Sequence, residues 1–315
     1  MLNCTKKRLK PTDLRQNTKS MKNTLAKMGV LILKLLGHTP FWLLYFCADL
    51  IYLICYYLIG YRKKTVIQNL KNSFPEKSDQ EIKTITIAFY RHFADLLVET
   101  IKAFQISEES LRQRFRFKNP EVLNELYDQG KNVALLSGHY GNWEWTIALP
   151  KIVQHQVNVI YRPIQDETFD RYMKQVRSRF GMFMMPARIS GRTMLELEKN
   201  GQLSATYYLT DQTALKDTDY WMMFLNQETA VFPGAEKVAS KFKQAVVFMD
   251  IQKVRRGYYE VEFTKLFDDA SQTRTYEVTK AHTHFLEEII RKRPELWLWS
   301  HKRWKHTRPE NISLK

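Results

Sequence analysis

From about residue 115 onward the chain alternates short apolar runs with longer amphipathic stretches, and that alternation narrows the fold more than any other feature. Residues 133–136, 157–161, 203–209 and 245–251 are apolar runs of strand length, bounded by polar or Gly-containing turns. Helical signals lie between them: from Asn119-Pro120 toward Gly130, from Asn142, from Asp166 toward Gly181, from Ser190 toward Gly201, and over residues 234–242 and 275–292. Arg256-Gly257 turns the run at 245–251 back into residues 258–263, which predicts one antiparallel pair. Strands and helices in alternation make an α/β sheet, largely parallel and covered on both faces. With no internal repeat and no Gly/Ser linker, residues 65–315 read as one globular domain.

The N-terminal part is different. Residues 1–30 are basic and polar and read as a disordered segment, with Met21 a candidate true start. Residues 41–59 are almost wholly apolar and aromatic, with Asp49 the only charge, and match a membrane span in length. One Asp near the centre of such a span costs roughly 3 kcal/mol, which this much Leu, Ile and Phe offsets. Arg62-Lys63-Lys64 ends the run, so residues 31–64 are assigned a membrane-anchoring helix. Both flanks are basic, which leaves open whether the helix crosses the bilayer or lies at its surface; a buried core helix is the other reading. After it come two amphipathic helices around a break at Ser73-Phe74-Pro75. The second opens on the capping box Ser78-x-x-Glu81, and Phe89, Phe93, Leu96, Leu97 and Ile101 form its core stripe.

A formal charge of +16 and a pI near 9.6 call for an anionic partner: nucleic acid, an anionic membrane or an acidic carrier protein. Nucleic acid is disfavoured, because no helix-turn-helix, zinc or RNA-binding aromatic signature occurs and the apolar segment has no place in such a protein. Cys4, Cys47 and Cys55 all precede residue 60, which excludes a disulfide framework of the main domain and supports neither thiol catalysis nor a zinc cluster. His282 and His284 point in different directions on a helix and read as surface residues, so no metal is expected.

The candidate chemistry lies where the run at 133–136 stops. Ser137-Gly138 leads into His139, and Glu144 follows five residues on. On one regular helix that spacing gives about 500° of rotation, so the two meet only if His139 lies in the loop and Glu144 in the first helical turn. Gly141 and the candidate N-cap Asn142 supply that loop. A His beside a carboxylate has the parts of a general base and its orienter. In open α/β sheets ligands bind beyond the carboxyl ends of the strands. The next two strands end at Tyr161-Arg162-Pro163 and Thr210-Asp211-Gln212, which brings a base, a cation and an acid–amide pair to one rim.

Gly138-His139-Tyr140-Gly141-Asn142-Trp143-Glu144 resembles the His-x4-Asp/Glu signature of glycerolipid-type acyltransferases, and specifically that of the bacterial late acyltransferases of lipid A biosynthesis. Further blocks resemble that family in order: Arg62…Asn69-Leu70…Phe74-Pro75-Glu76, Tyr161-Arg162-Pro163, Asp211-Gln212, Phe224-Leu225…Phe232-Pro233-Gly234-Ala235, and Arg293-Pro294-Glu295…Trp297…Trp299…His301-Lys302-Arg303-Trp304…Arg308-Pro309. The resemblance covers roughly residues 25–310. It implies a glycerol-phosphate-acyltransferase-like α/β fold, with a mostly parallel sheet, flanking helices and an N-terminal membrane helix.

It also implies acyl transfer at the cytoplasmic face of the bacterial inner membrane, from an acyl thioester to a hydroxyl of a lipid A precursor. His139 and Glu144 are then catalytic. Asn142, Arg162, Asp211 and Gln212 bind substrate or order the site, with Arg162 on the acceptor phosphate or the oxyanion. No cofactor is implied: the donor, carried on acyl carrier protein or coenzyme A, is a substrate. A lysophospholipid, an amino-acid lipid or another glycolipid is the alternative acceptor. Asp217 and Asp219 make the loop after Asp211 less basic than a phosphate contact would favour. Arg291-Lys292-Arg293 and Lys302-Arg303…Lys305-His306, near Trp297, Trp299 and Trp304, are candidate membrane-docking clusters.

Overall fold

The computed structural model describes residues 11–214 and 218–315, with side chains from residue 24 onward in the first helix. Cys4, the basic residues before Pro11 and Asp217 lie outside the described residues. Helix α1 (Pro11–His38) occupies much of the stretch expected to be disordered. Its C-terminal end is held by Lys102, whose ammonium donates to the carbonyls of Gly37 and Thr39 at 3.0 and 2.8 Å.

Helix α2 (Phe41–Leu53) continues through a π-helical turn at Ile54–Leu58, and together they form one helix long and apolar enough to cross a membrane. It is not an isolated rod. Leu44, Ala48, Tyr52 and Tyr56 recur every four residues and are buried, and the stripe packs against α4 (Asp79–Ala103). Asp49 pairs with Arg256 at 2.7 Å, and the Tyr45 hydroxyl donates to the buried Glu99 at 2.9 Å. The opposite face is bare: Trp42 is 72% exposed, Phe46 58% and Leu58 79%. Leu25, Leu31 and Leu35 of α1 are likewise exposed. Exposed apolar surface on this scale marks an interaction face.

Helix α3 (Lys63–Ser73) stops at the predicted break, and α4 opens on the capping box, with Ser78 accepting from the Glu81 N–H and Glu81 from the Ser78 N–H. Phe89 and Leu96 are buried as expected, whereas Leu97 is exposed. Then follow α5 (Glu108–Arg114), β1 (Phe115–Phe117), α6 (Glu121–Asp128), β2 (Val133–Ser137), a 3-10 helix (Trp143–Lys151), β3 (Gln156–Tyr161), α7 (Glu167–Arg177), β4 (Phe183–Pro186), α8 (Ser190–Lys199) and β5 (Ser204–Leu209). A hairpin of β6 (Trp221–Phe224) and β7 (Gln227–Ala230) precedes α9 (Gly234–Lys241), β8 (Ala245–Arg255), β9 (Tyr258–Phe267) and α10 (Glu277–Lys292).

The main sheet has seven strands in the order β1-β9-β8-β2-β5-β3-β4. Its pairs are parallel except β8 with β9, the pair that the Arg256-Gly257 turn predicts. Every residue of β2 is buried because both faces are covered: Ala134 and Leu136 join one apolar layer, Val133 and Leu135 the other. Four short strands were not foreseen. β1 and β4 have three and four residues, too few to show a period, and the β6–β7 hairpin turns through Leu225-Asn226, both with positive φ. The topology sets β2 between β5 and β8, so the loops after these strands share one rim.

Candidate active site

Ser137 is level with Leu209 of the neighbouring strand. The residues just past these two strand ends therefore face each other, and His139 meets Asp211. Asp211 Oδ1 accepts from His139 Nδ1 at 2.6 Å, while Oδ2 accepts the backbone N–H of His139 at 2.8 Å and the indole N–H of Trp297 at 2.7 Å. The Asp211 side chain is 3% exposed and that of His139 13%, so the carboxylate lies behind the imidazole.

Burial works against the Asp211 anion, but the charge on His139 and the hydrogen bonds from its ring, its backbone and Trp297 outweigh it and hold the carboxyl down to about 2. Burial likewise disfavours a charged His139. The charge and hydrogen bond of Asp211 overcome that, with help from the charge of Glu144, and raise the imidazole above its ordinary value. With Nδ1 donating to Asp211, Nε2 is the acceptor, and the Gln212 amide nitrogen donates to it at 3.1 Å.

The His139 loop is tied to the C-terminal segment. Tyr140 bridges antiparallel to Trp297, the Gly141 N–H donates to the Leu296 carbonyl at 3.0 Å, and the Leu298 N–H donates to the His139 carbonyl at 3.1 Å. Gly141 has φ +63° and lies so close to the Ile251 carbonyl that no Cβ would fit. The His139 imidazole packs edge-on against the Trp143 ring, 5.1 Å between centroids.

Two sequence expectations are corrected here, and a third is narrowed. Glu144 is not the carboxylate on His139. It sits in the first turn of the 3-10 helix, and Arg177 at the end of α7 takes it in a two-pronged contact, Nη2 to Oε1 at 2.8 Å and Nε to Oε2 at 3.3 Å. Its influence on His139 is through space, and the adjacency of β2 and β5 gives the direct place to Asp211. Asn142 does not face a substrate. It is fully buried, with Oδ1 capping the Trp145 N–H at 3.2 Å and Nδ2 donating to Glu99 at 2.7 Å. Glu99 also receives the Tyr259 hydroxyl at 2.8 Å, and burial pushes its carboxyl up to about 7. Of the two roles expected of Asp211, binding substrate or ordering the site, its contacts with His139 and Trp297 fit the second.

Gln212 does reach the imidazole. Arg162 is exposed past β3, two strands from β2, and makes no hydrogen bond or ion pair among the described residues. The C-terminal tryptophans are not a surface cluster: Trp297 and Trp299 are buried. Arg303 is buried too, within electrostatic reach of Asp211, with Nε and Nη1 unpartnered among the described residues. His282 is buried against Thr210 and only His284 is exposed. Sequence reasoning missed Trp297 and Arg177 as site residues. Both stood in plain view, but each lies far along the chain from the group it holds.

The model of the bacterial lipid A biosynthesis acyltransferases matches residues 14–306. Among curated proteins, a lipid A biosynthesis acyltransferase of Haemophilus influenzae is 23% identical over 239 residues, 73% of this chain and 72% of that protein. The Escherichia coli lipid A biosynthesis palmitoleoyltransferase is 23% identical over 292 residues, covering 90% and 92% of the two chains. The Escherichia coli lipid A biosynthesis lauroyltransferase is 22% identical over 295 residues, covering 91% and 93%. With its α/β sheet, its ordered motif blocks and a family match over nearly its whole length, the chain belongs to the bacterial lipid A biosynthesis acyltransferases, and is an enzyme of acyl transfer.

Proposed function

We propose that the protein moves a fatty acyl chain from an acyl thioester to a hydroxyl of a phosphorylated lipid A precursor, with His139 as general base. The hydrogen-bonded pair of His139 and the ionised, buried Asp211 carries this reading. Asp211 fixes the tautomer, so the Nε2 lone pair faces the acceptor, and the raised imidazole pKa suits proton transfer near neutrality. The acceptor oxygen attacks the thioester carbonyl carbon as Nε2 takes its proton. Collapse of the tetrahedral intermediate breaks the C–S bond, and the imidazolium returns the proton to the departing sulfur. Asp211 stays ionised throughout and stabilises the imidazolium. Glu144 adds negative potential at the ring through space, offset in part by the Arg177 that holds it. Gln212 marks the side from which the acceptor hydroxyl reaches Nε2, and yields that contact to it.

The lipid acceptor is met at a membrane. The bare apolar faces of α1 and α2 support attachment by a surface-lying pair of helices rather than by a span, because Tyr45, Asp49, Tyr52 and Tyr56 tie α2 to the domain along its length. The +16 charge suits both an anionic leaflet and an acidic acyl carrier protein as donor, with coenzyme A the other carrier. Thioester donors of either kind are cytosolic, so we assign the enzyme to the inner membrane with its catalytic domain facing the cytoplasm.

The test is transfer from a labelled acyl-carrier thioester to a tetra-acylated, phosphorylated lipid A precursor, by wild type and by His139→Ala. Transfer by the wild type alone supports the reading; equal transfer by the variant would sink it.

A further inference from the structure

A second polar feature stands on the same rim, behind the His139 loop. Arg91 and His92 of α4, Lys253 and Arg255 of β8, and Arg293 and Glu295 after α10 line a cavity of about 240 Å³. That is below the roughly 300–1,000 Å³ that encloses a whole small ligand, so it seats a group rather than a molecule. Four cations stand against one lining carboxylate. Two of them are engaged: Lys253 pairs with the buried Asp95 at 3.0 Å, and Arg293 pairs with Glu295 at 2.9 Å. Arg91 and Arg255 are exposed at the mouth and have no carboxylate partner among the described residues.

His92 links the cavity to the His139 loop. It is 4% exposed, and its Nε2 donates to the Gly141 carbonyl at 3.2 Å, which leaves Nδ1 as an acceptor. That Nδ1 is buried with no partner among the described residues, a state that costs free energy unless something donates to it. Burial and the nearby Lys253 charge push the imidazole down to about 3, so it stays neutral. That Nδ1 is closed off from the cavity, which thus offers cations for an anion. Its place matters as well. Arg91 stacks over Tyr52 of α2 at 5.3 Å, and the neighbouring Arg256 pairs with Asp49 of α2, so the mouth opens beside the helix that carries the bare apolar face.

We propose that this cavity binds a phosphate group of the acceptor headgroup, with Arg91 and Arg255 on the phosphate. The assignment rests on the acceptor class proposed above. It places His92 between the anchored headgroup and the loop that carries His139, with its Nε2 on the Gly141 carbonyl.

The test is binding of a bis-phosphorylated, tetra-acylated glucosamine disaccharide and of its phosphate-free counterpart to the full-length protein in detergent, by isothermal titration. Wild type is compared with the double variant Arg91→Gln/Arg255→Gln and with the charge-matched control Lys237→Gln/Lys280→Gln. Loss of about a hundredfold in affinity for the phosphorylated lipid in the first variant only, with the phosphate-free lipid bound alike by all three, is the expected result, the size of two lost charge-assisted contacts. Unchanged affinity in Arg91→Gln/Arg255→Gln overturns the proposal. So does an equal loss for both lipids, or a loss confined to sedimentation with phosphatidylglycerol vesicles, which would assign the cations to bulk membrane headgroups. Acyl transfer is followed on the same samples. Its absence from wild type would sink the acyltransfer reading, while the binding comparison still decides the cavity.

Discussion

Asp211 and His139 are 72 residues apart in the chain and 2.6 Å apart in the fold, and Asp211 holds both the ring and the backbone N–H of His139. The contact exists because β2 and β5 are neighbours in register. It defines which nitrogen of the imidazole is left for chemistry.

Asp211→Asn should cut kcat by about a thousandfold or more, since the amide no longer fixes the productive tautomer. It should also move the pH profile. The base is active when neutral, so the rate rises with pH through the raised pKa of His139; removing the anion lowers that pKa and shifts the rising limb to lower pH. Glu144→Gln should shift the limb the same way but less, because its effect acts through space. A larger shift from Glu144→Gln than from Asp211→Asn in kcat–pH profiles would reverse the assignment of the orienting carboxylate.

The same pair leaves a mark on stability. The Asp211 carboxyl is depressed from 3.8 to about 2, so its contribution is present above pH 3.8 and is lost as pH falls toward 2. The His139 pKa is raised above 6.5, so its contribution is full below 6.5 and fades as pH rises through the folded value. Urea midpoints should therefore be flatter between pH 2 and 8 for Asp211→Asn than for wild type. Parallel profiles would deny the linkage.

Trp297→Phe removes one donor to a buried carboxylate and keeps an aromatic ring, though a smaller one. A loss of roughly 1.5–3 kcal/mol is expected from that hydrogen bond to a charged group, read by chemical denaturation. Activity should fall as well, since Asp211 becomes freer to turn. A variant as stable as wild type would mean that Asp211 finds another donor.

Asn142→Ala should act on the fold and not on substrate affinity. It strips the cap from the Trp145 N–H and one donor from the buried Glu99. A drop of roughly 2–4 kcal/mol, with KM unchanged in whatever remains folded, is the expected outcome. A raised KM with intact stability would restore Asn142 as a substrate contact.

Trp42→Glu/Phe46→Glu places two charges on the bare face of α2, away from its packed stripe. Vesicle co-sedimentation should drop sharply while the near-UV dichroism of the domain stays unchanged. Retained vesicle binding would mean that the membrane is met elsewhere.

The sequence by itself determined the strand–helix alternation, the antiparallel turn at Arg256-Gly257, the capped start of α4, the apolar helix at residues 41–58 and the position of His139 at a strand end. These are local properties, written in periodicity, turn residues and caps within a few positions of where they act. Only the tertiary structure decided which carboxylate meets His139. Glu144 is near in sequence but its helical turn aims it at Arg177, whereas Asp211 and Trp297 arrive through strand order and a C-terminal segment folded back over the loop. It also turned Asn142 inward and buried Trp297, Trp299 and Arg303, because side-chain direction depends on the layer packed against it, and a single strand or loop carries no record of that layer.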